Sequence, residues 1–460
     1  MLAISGCAAV GPNFERPAAI VSPQFKEIKG WKIATPRESE PKGEWWSVFK
    51  DPELDRLERV VVVSNQTVKA DEANYREALA LINEARAGLF PTVNGTGSAT
   101  HSSPSITTLT AEASGTWTLD VWGQVRREIE AQQAFAQTDA ANLANATLSE
   151  QSLLALAYVA LREADSLEDV LERTVVDFKH SLTITQNQYN AGTAAKSDVI
   201  TAEAQVLNAQ AALIAAGVTR AQSEHAIAVL MGRPPAGLSI AHGSLATRVP
   251  SVPVALPSSL LERRPDVAGA EETMREANAE IGVAFAGYFP AISLNGLIGY
   301  SGNPFNAAFG PANPVWSFGA SIAQPLFNGG LTTAQVEAAR QTYQSDVAAY
   351  RQTVLTAIQQ VEDALVGIRI LSREVKVQVE NVRISRQATQ ITLNEYQAGT
   401  QAFTAVVTAE TQQLSAEESL LSTQGQLQTD AVDLIVALGG GWTQSKLPDV
   451  AAETSAIPPH

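Results

Sequence analysis

Apolar positions along this chain keep two rhythms, and the switches between them mark its parts. Between Val336 and Val382, fourteen apolar residues follow one another in 13 steps across 46 residues, about 3.5 per step. That is the spacing of a coiled-coil seam rather than of a straight helix, which turns every 3.6 residues. A helix over about 332–396 is roughly 97 Å long at 1.5 Å per residue, more reach than a compact domain needs. Elsewhere the period drops to two. Ala111, Ala113, Gly115, Trp117 and Leu119 alternate with Thr110, Glu112, Ser114, Thr116 and Thr118. Ile292, Leu294, Ile298 and Tyr300 share one face, as do Trp316, Phe318, Ala320 and Ile322. Such segments read as strands with one apolar and one polar face. About ten residues is the length that crosses hydrocarbon at a barrel tilt.

The order of these segments occurs twice. Tyr189-Asn190-Ala191-Gly192-Thr193 returns 207 residues later as Tyr396-Gln397-Ala398-Gly399-Thr400, and Val199, Thr201, Ala202, Glu203 and Gln205 are answered by Val406, Thr408, Ala409, Glu410 and Gln412. A repeat of that length is an internal duplication, far longer than a solenoid unit of about 20–50 residues. Repeat 1, residues 51–250, predicts a helix from Pro52 to about Gly88, two strands over about 92–120 and a long helix over about 126–189. After the Tyr-Asn-Ala-Gly-Thr tip comes a helix over about 196–231, stopped by Gly232-Arg233-Pro234-Pro235. Repeat 2, residues 258–442, predicts a helix near Pro265 and Asp266, two strands over about 291–325, and helices over about 332–396 and 401–438. Pro265 and Asp266 suit a first helical turn. Gly439-Gly440-Gly441 ends the last helix; with no strand before it and no lysine after it, it is not a phosphate loop. Residues 7–50 read as an extended arm laid over other elements, and 443–460 as a flexible tail.

Composition agrees with long, closely packed helices. Of the 460 residues only 6% are aromatic, so helix surfaces meet through Ala, Gln, Thr and Ser rather than around a bulky core. A net charge of -16 argues against nucleic acid as a partner and biases any lumen toward cations. The single cysteine, Cys7 in Ile4-Ser5-Gly6-Cys7, resembles a lipobox cysteine that is acylated after cleavage, with residues 1–6 the remnant of a signal peptide. Ala8 after it is compatible, by the same resemblance, with outer-membrane sorting. No later stretch approaches the roughly 18–20 uninterrupted apolar residues of a spanning helix, so a chain that crosses a membrane crosses it as strands. Four strands cannot close a barrel, and open edges in lipid strand their donors and acceptors. Two chains supply eight strands, a barrel that side chains fill; three supply twelve, wide enough for a channel. A duct favours three, although the strand count alone does not choose. The fold class is mainly α with β, a long α-helical barrel plus a transmembrane β-barrel completed between chains.

The Cys7 lipobox with Gly11-Pro12-Asn13-Phe14-Glu15-Arg16-Pro17, Trp45-Trp46, Leu260-Leu261-Glu262-Arg263-Arg264-Pro265-Asp266-Val267, Gln324-Pro325-Leu326-Phe327-Asn328-Gly329-Gly330 and the paired tip turns occur in one order. Together they resemble the TolC-type outer-membrane efflux proteins, in their OprM-like lipoprotein branch, across essentially the whole chain. The resemblance implies a homotrimer with a twelve-stranded barrel in outer-membrane lipid and a periplasmic α-barrel. It further implies docking to a periplasmic adaptor (membrane fusion protein) and an inner-membrane pump, and passive efflux through the duct.

The same resemblance places a gate at the tips. Tyr396 and Asp198 match the family's linking tyrosine and its acidic partner. Gln401 stands where some members carry arginine, so the expected bond to Asp198 is neutral and weaker. Ala405 and Thr408 stand where aspartates are common, so closure is expected from packing of Phe403, Val406 and Val407 and from hydroxyls. Gly192, Thr193, Gly399 and Thr400 are the expected adaptor contacts, and Trp117, Tyr300 and Trp316 the membrane-interface aromatics. His101, His180, His225, His242 and His460 form no pair at helical spacing, and only Met1, Met231 and Met274 supply thioethers, so no metal site, cofactor or enzyme is expected. Two rivals remain: an exit duct for type I polypeptide secretion, and a lipid-anchored periplasmic coiled-coil adaptor, against which the Trp117 and Trp316 strands argue.

Overall fold

Two helical hairpins of matched length frame the molecule. The computed structural model describes residues 9–28, 43–103, 106–250, 257–302 and 314–455. In chain order they form α1 (Pro52–Ser64), α2 (Gln66–Ala87), β1 (Thr92–Ser102), β2 (Ile106–Leu119), α3 (Gln124–Asn190), α4 (Lys196–Leu230), α5 (Leu260–Arg263), α6 (Pro265–Ala286), β3 (Ala291–Gly302), β4 (Pro314–Ala323), α7 (Leu331–Gln397), α8 (Phe403–Ala437) and α9 (Val450–Ser455). α3 and α7 are each 67 residues long, α4 and α8 each 35, and α2 and α6 each 22. α2 packs on α3, α3 on α6 and α6 on α7, while α3 also packs on α4 and α8, and α7 on α8. Small residues let these axes approach. Ala131, Ala134, Ala136, Ala140 and Ala141 of α3 are buried, and a Cβ added to Gly269 of α6 would already touch that of Ala141 at 3.4 Å. Bulkier packing gathers in two clusters, one in the middle that includes Phe25, Leu260, Met274, Tyr350, Leu365 and Leu434, and one around Trp45, Trp46, Leu57, Tyr158 and Met231.

The four strands form one antiparallel sheet in the order β1-β2-β3-β4. Register keeps like faces together: Trp117 lies opposite Leu294, Ile298 opposite Trp316, and Ile292 opposite Ile322. On the other face the hydroxyls of Thr118 and Ser293 hydrogen-bond at 3.2 Å. Trp316 is 78% exposed and Phe318 and Ile322 are nearly as open, an apolar sheet surface that a water-soluble fold would cover. Among the described residues, β1 and β4 each have one edge without a partner strand.

The N-terminal arm is held by specific bonds. Val10 N–H donates to the Trp122 carbonyl at 2.9 Å, and the Arg127 guanidinium donates to the carbonyls of Val10 and Gly11 and to Asn13 Oδ1. Farther on, Phe25 enters the middle core while Lys26 and Glu27 N–H groups donate to the Glu362 carboxylate. Trp45 and Trp46, edge to face at 5.9 Å, are buried in a core with α1, α3, α4 and α8.

Two expectations are corrected. The single helix predicted from Pro52 to Gly88 breaks at Asn65, whose backbone is extended (φ -61°, ψ 132°). Its side chain accepts from Thr67 and Val68 N–H, capping α2, and donates to Glu150 and the Leu230 carbonyl, so tertiary bonds replace the lost helical ones. The tail expected to be flexible is docked through residue 455. Val450 is buried with Ala78, Ile82 and Ala136, Tyr75 donates to Glu453 at 2.7 Å and Gln137 to the Pro448 carbonyl at 2.8 Å.

Glu58 on α1 is fully buried and neither of its oxygens has a hydrogen-bond partner among the described residues. Burial pushes its carboxyl from the ordinary 4.5 up to about 9. The folded chain therefore keeps a proton that the unfolded chain releases, and stability falls as pH rises from 4.5 through about 9. Glu58→Leu is expected to raise the thermal midpoint at pH 9 by at least about 2 °C, with a smaller gain at pH 5. Parallel pH profiles of wild type and variant would contradict this.

Candidate functional site

Each hairpin reverses within five residues, and both reversals are built alike. Gly192 N–H donates to the Tyr189 carbonyl and Thr193 N–H to that of Gln188, both at 2.9 Å; Gly399 and Thr400 repeat this on Tyr396 and Glu395 at 3.0 Å. This paired bonding is the Schellman ending, which satisfies carbonyls left over at a helix C-terminus. Each threonine hydroxyl donates again to the same carbonyl at 3.0 Å. Gly192 and Gly399 have φ of +77° and +73°, and a Cβ at either would meet nothing within 4 Å, so the left-handed backbone rather than crowding requires glycine. All four of Gly192, Thr193, Gly399 and Thr400 are exposed.

A polar bond and an apolar plug join the two tips. Gln188 donates from its side chain to the Tyr396 carbonyl at 3.0 Å. The Tyr396 ring packs on Phe403 at 5.3 Å, in a cluster with Ala202, Leu393 and Val406, flanked by Leu182, Ile184 and Val407. The Tyr396 hydroxyl is buried and, among the described residues, without a hydrogen-bond partner. Burial holds this phenol above its ordinary value and the Asp198 charge adds to that; Thr185 offsets it in part, although its own hydroxyl is bonded to the Ser181 carbonyl.

Within one chain the expected gate residues lie in unlike settings. Asp198, half-buried in the first turn of α4, receives the Ser197 hydroxyl at 3.5 Å and makes no bond to Gln401, which is exposed just before α8. Phe403 is only 3% exposed and Val406 is fully buried, so their side chains hold the hairpins together instead of forming a constriction themselves. Thr408 is exposed, and its hydroxyl returns to the Thr404 carbonyl at 2.9 Å. The repeat also hid a difference: Glu203 is exposed, whereas Glu410, its mate, is buried against Ser181. Ala388 stands 207 residues after Ser181, so the sequence did carry that signal.

At the sheet, Trp117 anchors the end nearest the helices by donating to the Leu89 carbonyl at 3.0 Å, while Tyr300 and Trp316 lie toward the opposite end. Cys7 lies outside the described residues. Asp165, Glu168 and His242 place ligand atoms within 4.8 Å of one another, a grouping sequence spacing did not foresee. Asp165 already receives Arg162 at 2.9 Å, Arg220 at 2.6 Å and Gly243 N–H at 3.0 Å, so two guanidinium groups occupy the place a cation would need.

Comparison with known proteins agrees with this architecture. The family model described as outer membrane efflux protein matches residues 60–233 and 256–440. The chain is similar to the toluene efflux pump outer membrane protein TtgC of Pseudomonas putida, 27% identical over 95% of this chain and 93% of that one. It is similar to the cation efflux system protein CusC of Escherichia coli, 26% identical over 96% and 97%. The solved structure of the outer-membrane channel OprN superposes with a TM-score of 0.87 at 27% identity, covering 94% of this chain and 99% of that one.

Removing the plug should loosen the tips before it unfolds the helices. Phe403→Ala costs about 3 kcal/mol locally, so amide exchange around residues 388–408 is expected to quicken on the order of a hundredfold. Unchanged protection there would show that the ring holds nothing.

Proposed function

Because this chain belongs to the outer membrane efflux protein family, we propose that three copies form the outer-membrane duct of a tripartite efflux system, carrying small molecules passively from the periplasm outward. The carrying observation is a set of unpartnered surfaces that fit one another. β1 and β4 offer open edges, and three four-stranded sheets give the twelve strands of a barrel with a lumen. α4 exposes Ile200, Leu207 and Ile214, and α7 exposes Val377, Ile384 and Ile391, all at heptad spacing. Counted from the tips, Ile200 and Ile391, Leu207 and Ile384, and Ile214 and Val377 stand at the same height to within two residues, the register of antiparallel helices. A second copy's α4 therefore suits this α7. Near the sheet, Trp122 stacks on Phe289 at 4.7 Å inside the chain, while Phe327, 92% exposed before α7, and Phe90, exposed after α2, await the same kind of contact.

The exposed tip residues Thr193 and Thr400 support an adaptor contact there, through which an inner-membrane pump opens the duct. Cys7, in its lipobox setting, supports a lipid anchor in the outer membrane. Relatives named for toluene and for cation efflux are almost equally similar, which supports a duct that leaves cargo choice to the pump.

Oxidation of a protein carrying Leu207→Cys and Ile384→Cys should yield covalent trimers, with intact mass showing acyl chains on Cys7. Dimers alone, or monomers, would refute trimeric closure, and an unmodified Cys7 would refute the anchor. Separately, single cysteines at Thr193 or Thr400 are expected to capture a co-expressed periplasmic adaptor; failure of both would remove the tips as its contact.

A further inference from the structure

Above the apolar plug the two hairpins of one chain part again. α3, α7 and α8 line a cavity of about 240 Å³ there, and Glu410 of α8 borders it. Glu410 is 5% exposed, and the Ser181 hydroxyl of α3 donates to its carboxyl. This bond crosses from the first hairpin to the second at the level where they would separate if the tips spread.

The charges facing Glu410 leave it without a cation of its own. From α3 come Asp177 and His180, from α7 Arg386, and from α8 Glu417. Arg386 is engaged by Glu417 at 2.8 Å. Burial therefore dominates, with the Asp177 charge adding to it and Ser181 offsetting it, and the Glu410 carboxyl is pushed up to about 7. Burial, then the charge of Glu417, raises Asp177 as well, with His180, Arg173 and Arg386 opposing, so both acids respond in the same direction. The other half of the repeat lacks this arrangement, because Glu203 is exposed and Ser181 is answered by Ala388.

We propose that Glu410 is a proton-sensitive latch between the two hairpins of each chain. Neutral, it stays buried against Ser181 and holds them together; ionised, it draws water into the cavity and frees them. The duct then opens more readily in a neutral periplasm than in an acidic one. This rests on the reading that the tips are the gate. The sign follows from linkage: the closed arrangement binds a proton that an opened, hydrated carboxyl with its ordinary value of 4.5 releases, so closure loses support as pH rises from 4.5 through about 7.

Planar-bilayer recordings of the purified protein at pH 5.5 and pH 8 provide the test. Wild type is expected to raise its open-to-closed ratio on the order of tenfold at the higher pH, and Glu410→Gln to stay near the low-pH level at both. A Glu410→Gln protein that keeps the wild-type rise would overturn the latch. Phe403→Ala, which loosens the tip itself, should conduct at both pH values; if it stays shut, the tip gate fails while the Glu410→Gln comparison still decides the latch. Should the variant not assemble, amide exchange in wild type, corrected for its intrinsic pH dependence, is read over residues 174–181 and 410–417. Faster exchange at pH 8 supports the latch, and equal protection at both pH values overturns it.

Discussion

An exposed backbone cannot be left unpaired in hydrocarbon, and much of this fold follows from that constraint. Four strands with an apolar face and two open edges make no sense as a finished sheet in either water or lipid. The edges require further copies of the chain, and those copies bring their helices with them. The heptad stripes on α4 and α7, exposed in one chain, are the surfaces we propose those copies cover.

Within the chain, close packing by small side chains replaces a large core. Alanine faces along α3 and a glycine on α6 draw the helices together, and large residues gather in two places, where Phe25 of the arm enters the middle and where Trp45 and Trp46 pack on α1 and α3. Charge is handled locally, as where Asp165 is shared by two arginines. Glu58 and Glu410 depart from that habit: each is a buried acid without a cation of its own, and protonation is what makes such burial tolerable.

Periodicity made the long helices, strands and tips legible, because seam spacing and alternation are written directly in residue order. Asn65 was not legible as a break, since its cap is completed by Glu150 and Leu230, far away in sequence. The docked tail was hidden for the same reason, being held by α2 and α3. At the tips, the turns could be read but the neighbours of their side chains could not. Phe403 looks equally apolar in a constriction or a seam, and only the approach of Tyr396 and Leu393 places it in the seam. Glu410 shows the limit of reading by repeat: two matched glutamates sit in unlike surroundings because α3 packs on α8, whereas its repeat mate α7 has no comparable packing on α4.

The equal lengths of the paired helices restrict how such a duct can change its reach. One residue inserted into α3 alone turns everything beyond it by about 100° and lifts it by about 1.5 Å, swinging its seams away from α4 and α8. The same shift in α7 separates Ile384 from the height of Leu207. Length is therefore alterable only in steps that restore every seam at once, about seven residues added to all four long helices, or roughly 10 Å of tube. A duct of this design fits its periplasm by whole heptads, not by single residues.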